Sequence, residues 1–300
     1  MSIENEGLKQ MLKPMQTAAI YNPSRPINYE DARESAENLG NKILPGAQVN
    51  EITVAGIPCD KITAKGSRED RIVLYIHGGG FTTGTASSRR VLSTAIALSF
   101  GVDVIACNYR LAPEHPYPAA IDDCMAVYKE LAVQYGAENI VVAGESAGGN
   151  LALGVAVRAR LEGLPLPAAL ISLSPLVQYD QVFESYKENL ATDFIIQNVH
   201  DEIKDAYLCT KDPETLRDPV ISPYYADVTG FPPTMLSAST CEVLRDDTLL
   251  FGEKLVEANV KVKISMRDDM QHAYVLFQSL PEAREELEVW KGFMKEIGFI

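Results

Sequence analysis

The segment Gly144-Glu145-Ser146-Ala147-Gly148 constrains the fold of this chain more than any other part of the sequence. It follows a short apolar run, Ile140–Ala143, and precedes a helical pattern from Gly148 to Leu161. So sharp a turn from strand to helix strains its central residue, and side chains two positions before and after it would collide. The two flanking glycines therefore predict a turn that holds the Ser146 hydroxyl out above a sheet, as a candidate nucleophile.

Further apolar runs predict strands, and patterns with helical spacing lie between them. The predicted strands are Ile72–Ile76, Val102–Cys107, Asn139–Ala143, Ala168–Leu173, Thr234–Ala238 and Val260–Met266. The predicted helices are Ala119–Tyr135, Gly148–Leu161, Arg245–Ala258 and Glu282–Ile297. Strands that alternate with helices indicate an α/β fold, with a mostly parallel sheet covered by helices on both faces.

Two segments interrupt this alternation. Residues 1–45 are polar and acidic and have no strand pattern, and about sixty residues separate the strand ending near Leu173 from the one starting near Thr234. The second segment is helical in pattern from Phe183 to Leu208. We therefore expect a helical cap made of residues 1–45 and 176–217, and a catalytic core made of residues 46–175 and 218–300.

A second glycine-rich motif, His77-Gly78-Gly79-Gly80, comes directly after the predicted strand Ile72–Ile76. Consecutive glycines let the backbone approach a bound group closely, and their N–H groups can stabilise the negative oxygen of a tetrahedral intermediate. The N–H of Ala147, next after the candidate nucleophile, would be another donor. A phosphate-binding loop is excluded because Thr85 stands where that motif needs a lysine.

The general base has to be one of four histidines. A serine on this kind of turn is followed along the chain first by the acid and then by the histidine. Only His200 and His272 follow Ser146, and only His272 follows a predicted strand, so we expect it to be the base. His77 belongs to the glycine loop and is expected to orient it, His115 lies in a proline-rich turn, and His200 is expected on a solvated helix face.

The acid should follow the strand before the one that precedes His272. Glu242 comes just after Thr234–Ala238, where a carboxylate can accept a hydrogen bond from the imidazole and hold its tautomer. Asp246 is the alternative acid. Asp246 and Asp247 both lie within a predicted helix, where acids of the first turn complement the helix dipole.

Composition excludes several classes of function. The formal net charge of −14 is a poor match for nucleic acid or for an anionic membrane surface. No apolar run approaches the ~18 residues of a membrane span, and the N-terminal residues lack the pattern of a secretory signal. Five scattered cysteines suggest neither a disulfide framework nor a zinc site. We expect a cytoplasmic protein that uses no metal and no cofactor.

Three motifs in order resemble the hormone-sensitive lipase family of esterases, the bacterial group IV type. They are the HGGG loop at 77–80, YRLAPEHPYPAA at 109–120 and GESAGGN at 144–150. The resemblance covers about residues 50–300. It implies an eight-stranded α/β-hydrolase core, a helical cap and the hydrolysis of small-molecule carboxylic esters, in many members with short acyl chains. It also implies a possible homodimer through the edge strand Val260–Met266.

The same resemblance implies the roles of individual residues. Ser146 would be the nucleophile, His272 the base and Glu242 the acid, although the family usually has aspartate at the last position. The candidate oxyanion donors are Gly78, Gly79, Gly80 and Ala147. Other departures from the family pattern are milder, with Glu145 where aspartate is common and Ala273 where glycine is common.

Three other functions remain as alternatives. An amidase, a lactonase or a dehydratase could use the same residues. A receptor of the gibberellin type resembles the family but lacks the working histidine, which is present here as His272. A true lipase acting at an oil interface is disfavoured by the acidic composition. The aromatic residues Phe183, Tyr186, Phe194 and Tyr207 could line a pocket, but simple packing of the cap is the favoured reading for each.

Overall fold

A single mixed sheet organises the described part of the chain, which comprises residues 2–15, 27–37, 40–196 and 199–300 of a computed structural model. Within these residues eight strands form the sheet in the order β1-β2-β4-β3-β5-β6-β7-β8. The strands are β1 (Ala47–Val54), β2 (Ile57–Ala64), β3 (Arg68–Ile76), β4 (Val102–Cys107), β5 (Ile140–Glu145), β6 (Ala169–Leu173), β7 (Thr234–Ser239) and β8 (Val262–Arg267).

The sheet is parallel from β4 across β3 to β8, and the pairs β1–β2 and β2–β4 are antiparallel. The six parallel strands therefore end at one edge. The inner strands β4, β5, β6 and β7 are buried along their whole length, as expected for parallel strands covered on both faces.

Helices cover both faces of this sheet. The α-helices are α1 (Ile3–Leu12), α2 (Tyr29–Glu37), α3 (Arg90–Phe100), α4 (Ala119–Tyr135), α5 (Ala147–Leu161), α6 (Ser185–Glu188), α7 (Val199–Ile203), α8 (Pro213–Leu216), α9 (Arg245–Glu257) and α10 (Pro281–Glu296). Alternate side chains of β3 point to opposite faces: Leu74 joins a core with α4, α5 and α9, and Val73 joins one with α1, α3 and α10. The predicted α/β architecture is confirmed.

The structure adds elements that the apolar pattern did not predict. Strands β1 and β2 carry polar residues and β1 is partly exposed, so neither produces an unbroken apolar run. The helix α3 was not predicted either. The segment predicted to be helical from Phe183 to Leu208 contains the short helices α6 and α7 and a π-helical turn, Lys204–Leu208, while residues 189–196 are irregular.

The longest described helix, α4, has 17 residues, and no described helix is long and apolar enough to cross a membrane.

Candidate active site

The predicted site residues follow strands that are neighbours in the sheet. Ser146 follows β5, Glu242 comes three residues after the end of β7, and His272 comes five residues after the end of β8. Between them, Ser174 follows β6. Because β5 to β8 are parallel and adjacent, these four residues meet at one edge of the sheet.

Ser146 occupies the sharp turn that the sequence predicts. Its backbone has φ 56° and ψ −120°, in a region that residues with side chains rarely adopt, and its N–H donates to the carbonyl of Leu173 at 2.8 Å. A Cβ at Gly144 would collide with the carbonyl of Gly148, and a Cβ at Gly148 would collide with that of Ile76. The flanking glycines are therefore a steric requirement of the turn, which leaves Ser146 partly exposed at the start of α5.

Glu242 and His272 form a buried pair. Oε2 of Glu242 lies 2.7 Å from Nδ1 of His272, and neither side chain is appreciably exposed. The other carboxylate oxygen accepts from the N–H of Ser239 at 2.6 Å and from the hydroxyl of Ser174 at 3.0 Å. These two donors hold Oε1 in place and leave Oε2 for the imidazole.

The environment of His272 favours its protonated form. Burial opposes the charge, but the hydrogen bond to Glu242 and the nearby negative charges of Glu242, Asp193 and Glu145 outweigh it, so the pKa of His272 is raised above its ordinary value of 6.5. Its Nε2 is buried and has no hydrogen-bond partner within the described residues. This nitrogen is therefore the one left to take part in proton transfer.

The alternative acid, Asp246, has other partners. Its carboxylate accepts from the N–H of Ser185 at 2.8 Å and from Nε of Arg245 at 2.8 Å. The neighbouring Asp247 is fully buried and accepts from the hydroxyl of Tyr186 at 2.5 Å. Both residues lie in the first turn of α9, as the sequence predicts. Of the three acids, Glu242 is the one bonded to His272.

The remaining histidines lie in different surroundings. His77 is buried and its ring stacks on Tyr109 with centroids 4.2 Å apart, and burial lowers the pKa of His77 to about 3. A ring that stays neutral and fixed in this way is suited to the predicted role of orienting the loop. His115 is exposed. The prediction that His200 lies on a solvated face is wrong, because its ring is buried and lies 3.1 Å from the hydroxyl of Tyr186.

The glycine loop lies directly against the serine turn. A Cβ on Gly78 would come within 3.0 Å of the Cβ of Ser146, so the two segments can meet only at a glycine. Gly79 has φ 116° and Gly80 has φ 61°, and the carbonyl of Gly79 accepts from the next turn of the loop. In the part of the chain that the structure describes, the N–H groups of Gly79, Gly80 and Ala147 have no acceptor.

Gly78 differs from the other candidate donors. Its N–H donates to Oε1 of Glu145 at 2.6 Å and is therefore not available to a substrate. We correct the predicted set of oxyanion donors accordingly, because one N–H cannot serve both acceptors.

Two residues that support the site, Ser174 and Glu145, were not predicted as site residues from the sequence. Ser174 joins the acid to the histidine loop, since its hydroxyl bonds Glu242 and accepts from the N–H of Ala273 at 3.3 Å. Glu145 carries a buried carboxylate next to the nucleophile. The sequence does contain a signal for Ser174, because this residue comes directly after the predicted strand Ala168–Leu173, which lies next to β5 in the sheet.

Two aromatic residues of the segment after β6 pack against other side chains, as the sequence analysis predicts. Tyr186 is buried and hydrogen-bonded to Asp247, and Tyr207 stacks on Phe81 with centroids 4.0 Å apart. Among the described residues there is no group of three or more His, Cys, Asp or Glu side chains that could hold a metal ion.

Comparisons with known proteins identify the family of this chain. A family model described as alpha/beta hydrolase fold matches residues 73–276. The chain is 33% identical over 276 residues to an esterase of Acinetobacter venetianus, covering 91% of this chain and 88% of the relative. It is also 33% identical over 276 residues to an acetyl-hydrolase of Streptomyces hygroscopicus, covering 90% and 89%.

A solved structure extends the similarity to the whole fold. The crystal structure of an esterase from the bacterial hormone-sensitive lipase family superposes with a TM-score of 0.90 at 33% sequence identity, over 99% of each chain. Sequence and fold thus agree, and the chain belongs to the hormone-sensitive lipase family of α/β-hydrolase esterases.

Proposed function

We propose that this esterase hydrolyses carboxylic esters of short to medium acyl chains through an acyl-enzyme on Ser146. The observation that carries the proposal is the buried hydrogen bond of 2.7 Å between Glu242 and His272. It lies at the same edge of the sheet as a serine held in a strained turn, beside backbone N–H groups that have no acceptor among the described residues. Together these groups supply a nucleophile, a base, an acid and an oxyanion hole.

Acylation begins with the Ser146 hydroxyl. Nε2 of His272 takes its proton while Oγ attacks the ester carbonyl carbon, and Glu242 stabilises the imidazolium without itself taking the proton. The negative oxygen that develops is held by the N–H groups of Gly79, Gly80 and Ala147. The tetrahedral intermediate collapses when Nε2 of His272 returns the proton to the leaving alkoxide, so that the alcohol departs and the acyl group remains on Ser146.

Deacylation repeats these steps with water. His272 takes a proton from water, whose oxygen attacks the acyl carbon, and the same N–H groups hold the second oxyanion. The proton then passes to Oγ of Ser146, and the carboxylic acid leaves.

The preference for short acyl chains is supported by the relative from Streptomyces hygroscopicus, whose name describes it as an acetyl-hydrolase. It is also supported by the chain segments that approach the site. Gln271, next to the base, accepts from the N–H of Phe194 at 2.8 Å and donates to the carbonyl of Thr192 at 3.0 Å. The segment that follows β6 therefore lies against the histidine loop and limits the space beside it.

We further propose that residues 1–45 and 176–217 form a cap over the core. Residues 1, 16–26, 38–39 and 197–198 of these segments lie outside the described residues. Arg33 of α2 supports the arrangement, because its Nε donates to the carbonyl of Thr82 at 2.8 Å and its guanidinium binds Glu114. A cytoplasmic location is also proposed, supported by five cysteines that are all free.

The test is hydrolysis of p-nitrophenyl esters from acetate to palmitate. We expect turnover by the wild type to fall steeply beyond about six to eight carbons, because a bounded pocket accepts a limited acyl length. Ser146→Ala should lower kcat by about 10⁴- to 10⁶-fold. Ser279→Ala, at an exposed serine outside the site, is the control and should behave as the wild type. A wild type inactive on every ester would overturn the proposal.

A further inference from the structure

Glu145, the residue before the nucleophile, has a buried carboxylate whose partners come from three elements. Oε1 accepts from the N–H of Gly78 at 2.6 Å and from Nε of Arg89 at 2.7 Å. Oε2 accepts from the hydroxyl of Tyr75, on β3, at 2.5 Å. The mechanism assigns none of these side chains a role, although the network joins the serine turn to the oxyanion loop.

The charge of this carboxylate is balanced inside the protein. The Arg89 side chain is 9% exposed and that of Glu145 is 1% exposed, so the two charges face each other away from water. The balance matters for the reaction, because an uncompensated negative charge beside the oxyanion hole would oppose the formation of an oxyanion. A carboxylate paired with Arg89 can therefore accept from the loop backbone without this penalty.

The contact with Gly78 lies immediately before the donors. Gly78 is followed by Gly79 and Gly80, whose N–H groups have no acceptor in the described part of the chain. Glycine backbone has more conformational freedom than that of any other residue, so three consecutive glycines need a fixed point. The N–H of Gly78 is held by Glu145 and its carbonyl lies 2.9 Å from Nδ1 of His77.

We propose that Glu145 is the positioning residue of the oxyanion hole. Its carboxylate, neutralised by Arg89, fixes the Gly78 peptide and thereby the direction of the N–H groups of Gly79 and Gly80. The inference rests on the proposed ester hydrolysis at Ser146. Oxyanion donors are effective only when they are already in place about 3 Å from the developing charge, and the loss of one costs about 10²- to 10³-fold in kcat.

Two double variants separate this role from simple packing. Arg89→Met/Glu145→Met replaces the ion pair with apolar side chains of similar length and leaves the Gly78 N–H without an acceptor. Arg89→Met/Glu145→Gln removes the same charges but keeps one side-chain oxygen for that N–H. Neither variant leaves a buried charge without its partner, which would by itself be strongly destabilising.

We expect kcat of R89M/E145M to be about 10- to 100-fold below that of R89M/E145Q, with little change in KM, because the donors act mainly in the transition state. The Ki of an alkyl trifluoromethyl ketone, which adds to a serine as an anionic hemiketal, should rise by the same factor. Thermal unfolding followed by circular dichroism shows whether both variants are folded. Equal kcat and equal Ki in the two folded variants would overturn the inference.

Hydrogen exchange of the Gly78 amide in the wild type is the measurement that does not depend on variants. An amide held by a buried carboxylate should exchange slowly, and rapid exchange would overturn the inference even if a variant fails to fold. Failure of the proposed function has a different signature. It would appear as a wild type that hydrolyses no ester and whose Ser146 is not labelled by a fluorophosphonate, whatever the exchange rate at Gly78.

Discussion

The proposed acid of this site, Glu242, is a glutamate where the family resemblance led us to expect aspartate. The structure shows how the longer side chain is accommodated. Oε1 is anchored by the N–H of Ser239 and the hydroxyl of Ser174, so the carboxylate is turned with Oε2 towards Nδ1 of His272. Because two fixed donors hold Oε1, the longer side chain still places Oε2 at the distance of a short hydrogen bond from the imidazole.

Replacing this acid should change both rate and pH dependence. Glu242→Gln removes the charge that raises the pKa of His272, and an amide N–H facing Nδ1 would favour the wrong tautomer. We expect kcat to fall by about 10²- to 10⁴-fold. The wild type needs neutral His272, so its kcat/KM should be lost as the pH falls through a pKa above 6.5, and in E242Q this limb should move to lower pH.

The matched control is Asp246→Asn, at the alternative acid. Its carboxylate binds Arg245 and the N–H of Ser185 rather than the imidazole, so the profile of kcat/KM against pH should keep the wild-type acidic limb. If D246N moved that limb and E242Q did not, the assignment of the acid would be wrong.

At the scale of elements, one carboxylate links α9 to the chain after β6. Asp247 accepts from the N–H of Val177 at 2.9 Å and from the hydroxyl of Tyr186, which in turn lies against the ring of His200. Burial raises the pKa of Asp247 to about 8. Near neutral pH the folded protein therefore holds a proton at Asp247 that the unfolded chain releases above about pH 4.

This difference predicts a pH-dependent stability. Because the folded state holds the extra proton between about pH 4 and pH 8, the free energy of unfolding should fall across that window by up to about 1.4 kcal/mol per pH unit. Asp247→Asn mimics the protonated acid and cannot ionise. Urea unfolding from pH 5 to pH 9 should show D247N gaining on the wild type as the pH rises and levelling off above about pH 8.

Asp246 should change the stability with pH in the opposite direction. Burial opposes its charge, but hydrogen bonds from Arg245 and the N–H of Ser185 outweigh it and lower the pKa of Asp246. Its contribution to stability is present above the ordinary pKa of about 4 and is lost as the pH falls. D246N should therefore be less stable than the wild type at neutral pH.

A constant difference between D247N and the wild type at all pH values would contradict the account of Asp247.

The elements that the sequence predicted well are those whose apolar residues follow a regular pattern. The inner strands β4 and β5 are mostly apolar because both of their faces are covered, and α4, whose apolar residues recur at helical spacing, was predicted with its observed bounds. Strands β1 and β2 were missed because their polar residues break the pattern, and they were expected only through the family resemblance. The helix α3 was missed as well, and the structure shows no side-chain cap at its N-terminus.

Some residues of the candidate site could likewise be predicted from the sequence, and others could not. Ser146, the glycine loop and His272 could be predicted because each carries a local motif or a fixed place after a strand. The hydrogen bonds of Glu145 with Gly78 and of Ser174 with Glu242 join residues 67 and 68 positions apart. No local pattern marks such pairs, since only the adjacency of the strands brings them together.

At the scale of the whole molecule, β8 is an edge of the sheet and is proposed as a dimer interface. Thr234 donates to the carbonyl of Lys261, and Thr240 donates to that of Arg267. Alternate residues of a parallel strand bond the same neighbour, so the residues between them, Met266 included, direct their N–H groups away from β7. These outward groups could pair with the same strand of a second copy.

Met266→Pro tests this interface, because it removes one outward N–H at an edge position where proline is tolerated. Size-exclusion chromatography with light scattering should show a dimeric wild type and a monomeric M266P. Met266→Ala, which keeps the N–H, should remain dimeric. A wild type that is monomeric at all concentrations, or an M266P variant that stays dimeric, would contradict the proposed interface.

The strands that carry the site are neighbours in the sheet and also follow one another along the chain, with Ser146 after β5 and His272 after β8. During synthesis the serine therefore leaves the ribosome well before the histidine. The growing chain has no base until His272 has been synthesised and β8 has joined the sheet. On the proposed mechanism, catalytic activity is therefore acquired late in synthesis, and a polypeptide released before His272 is translated would not hydrolyse esters.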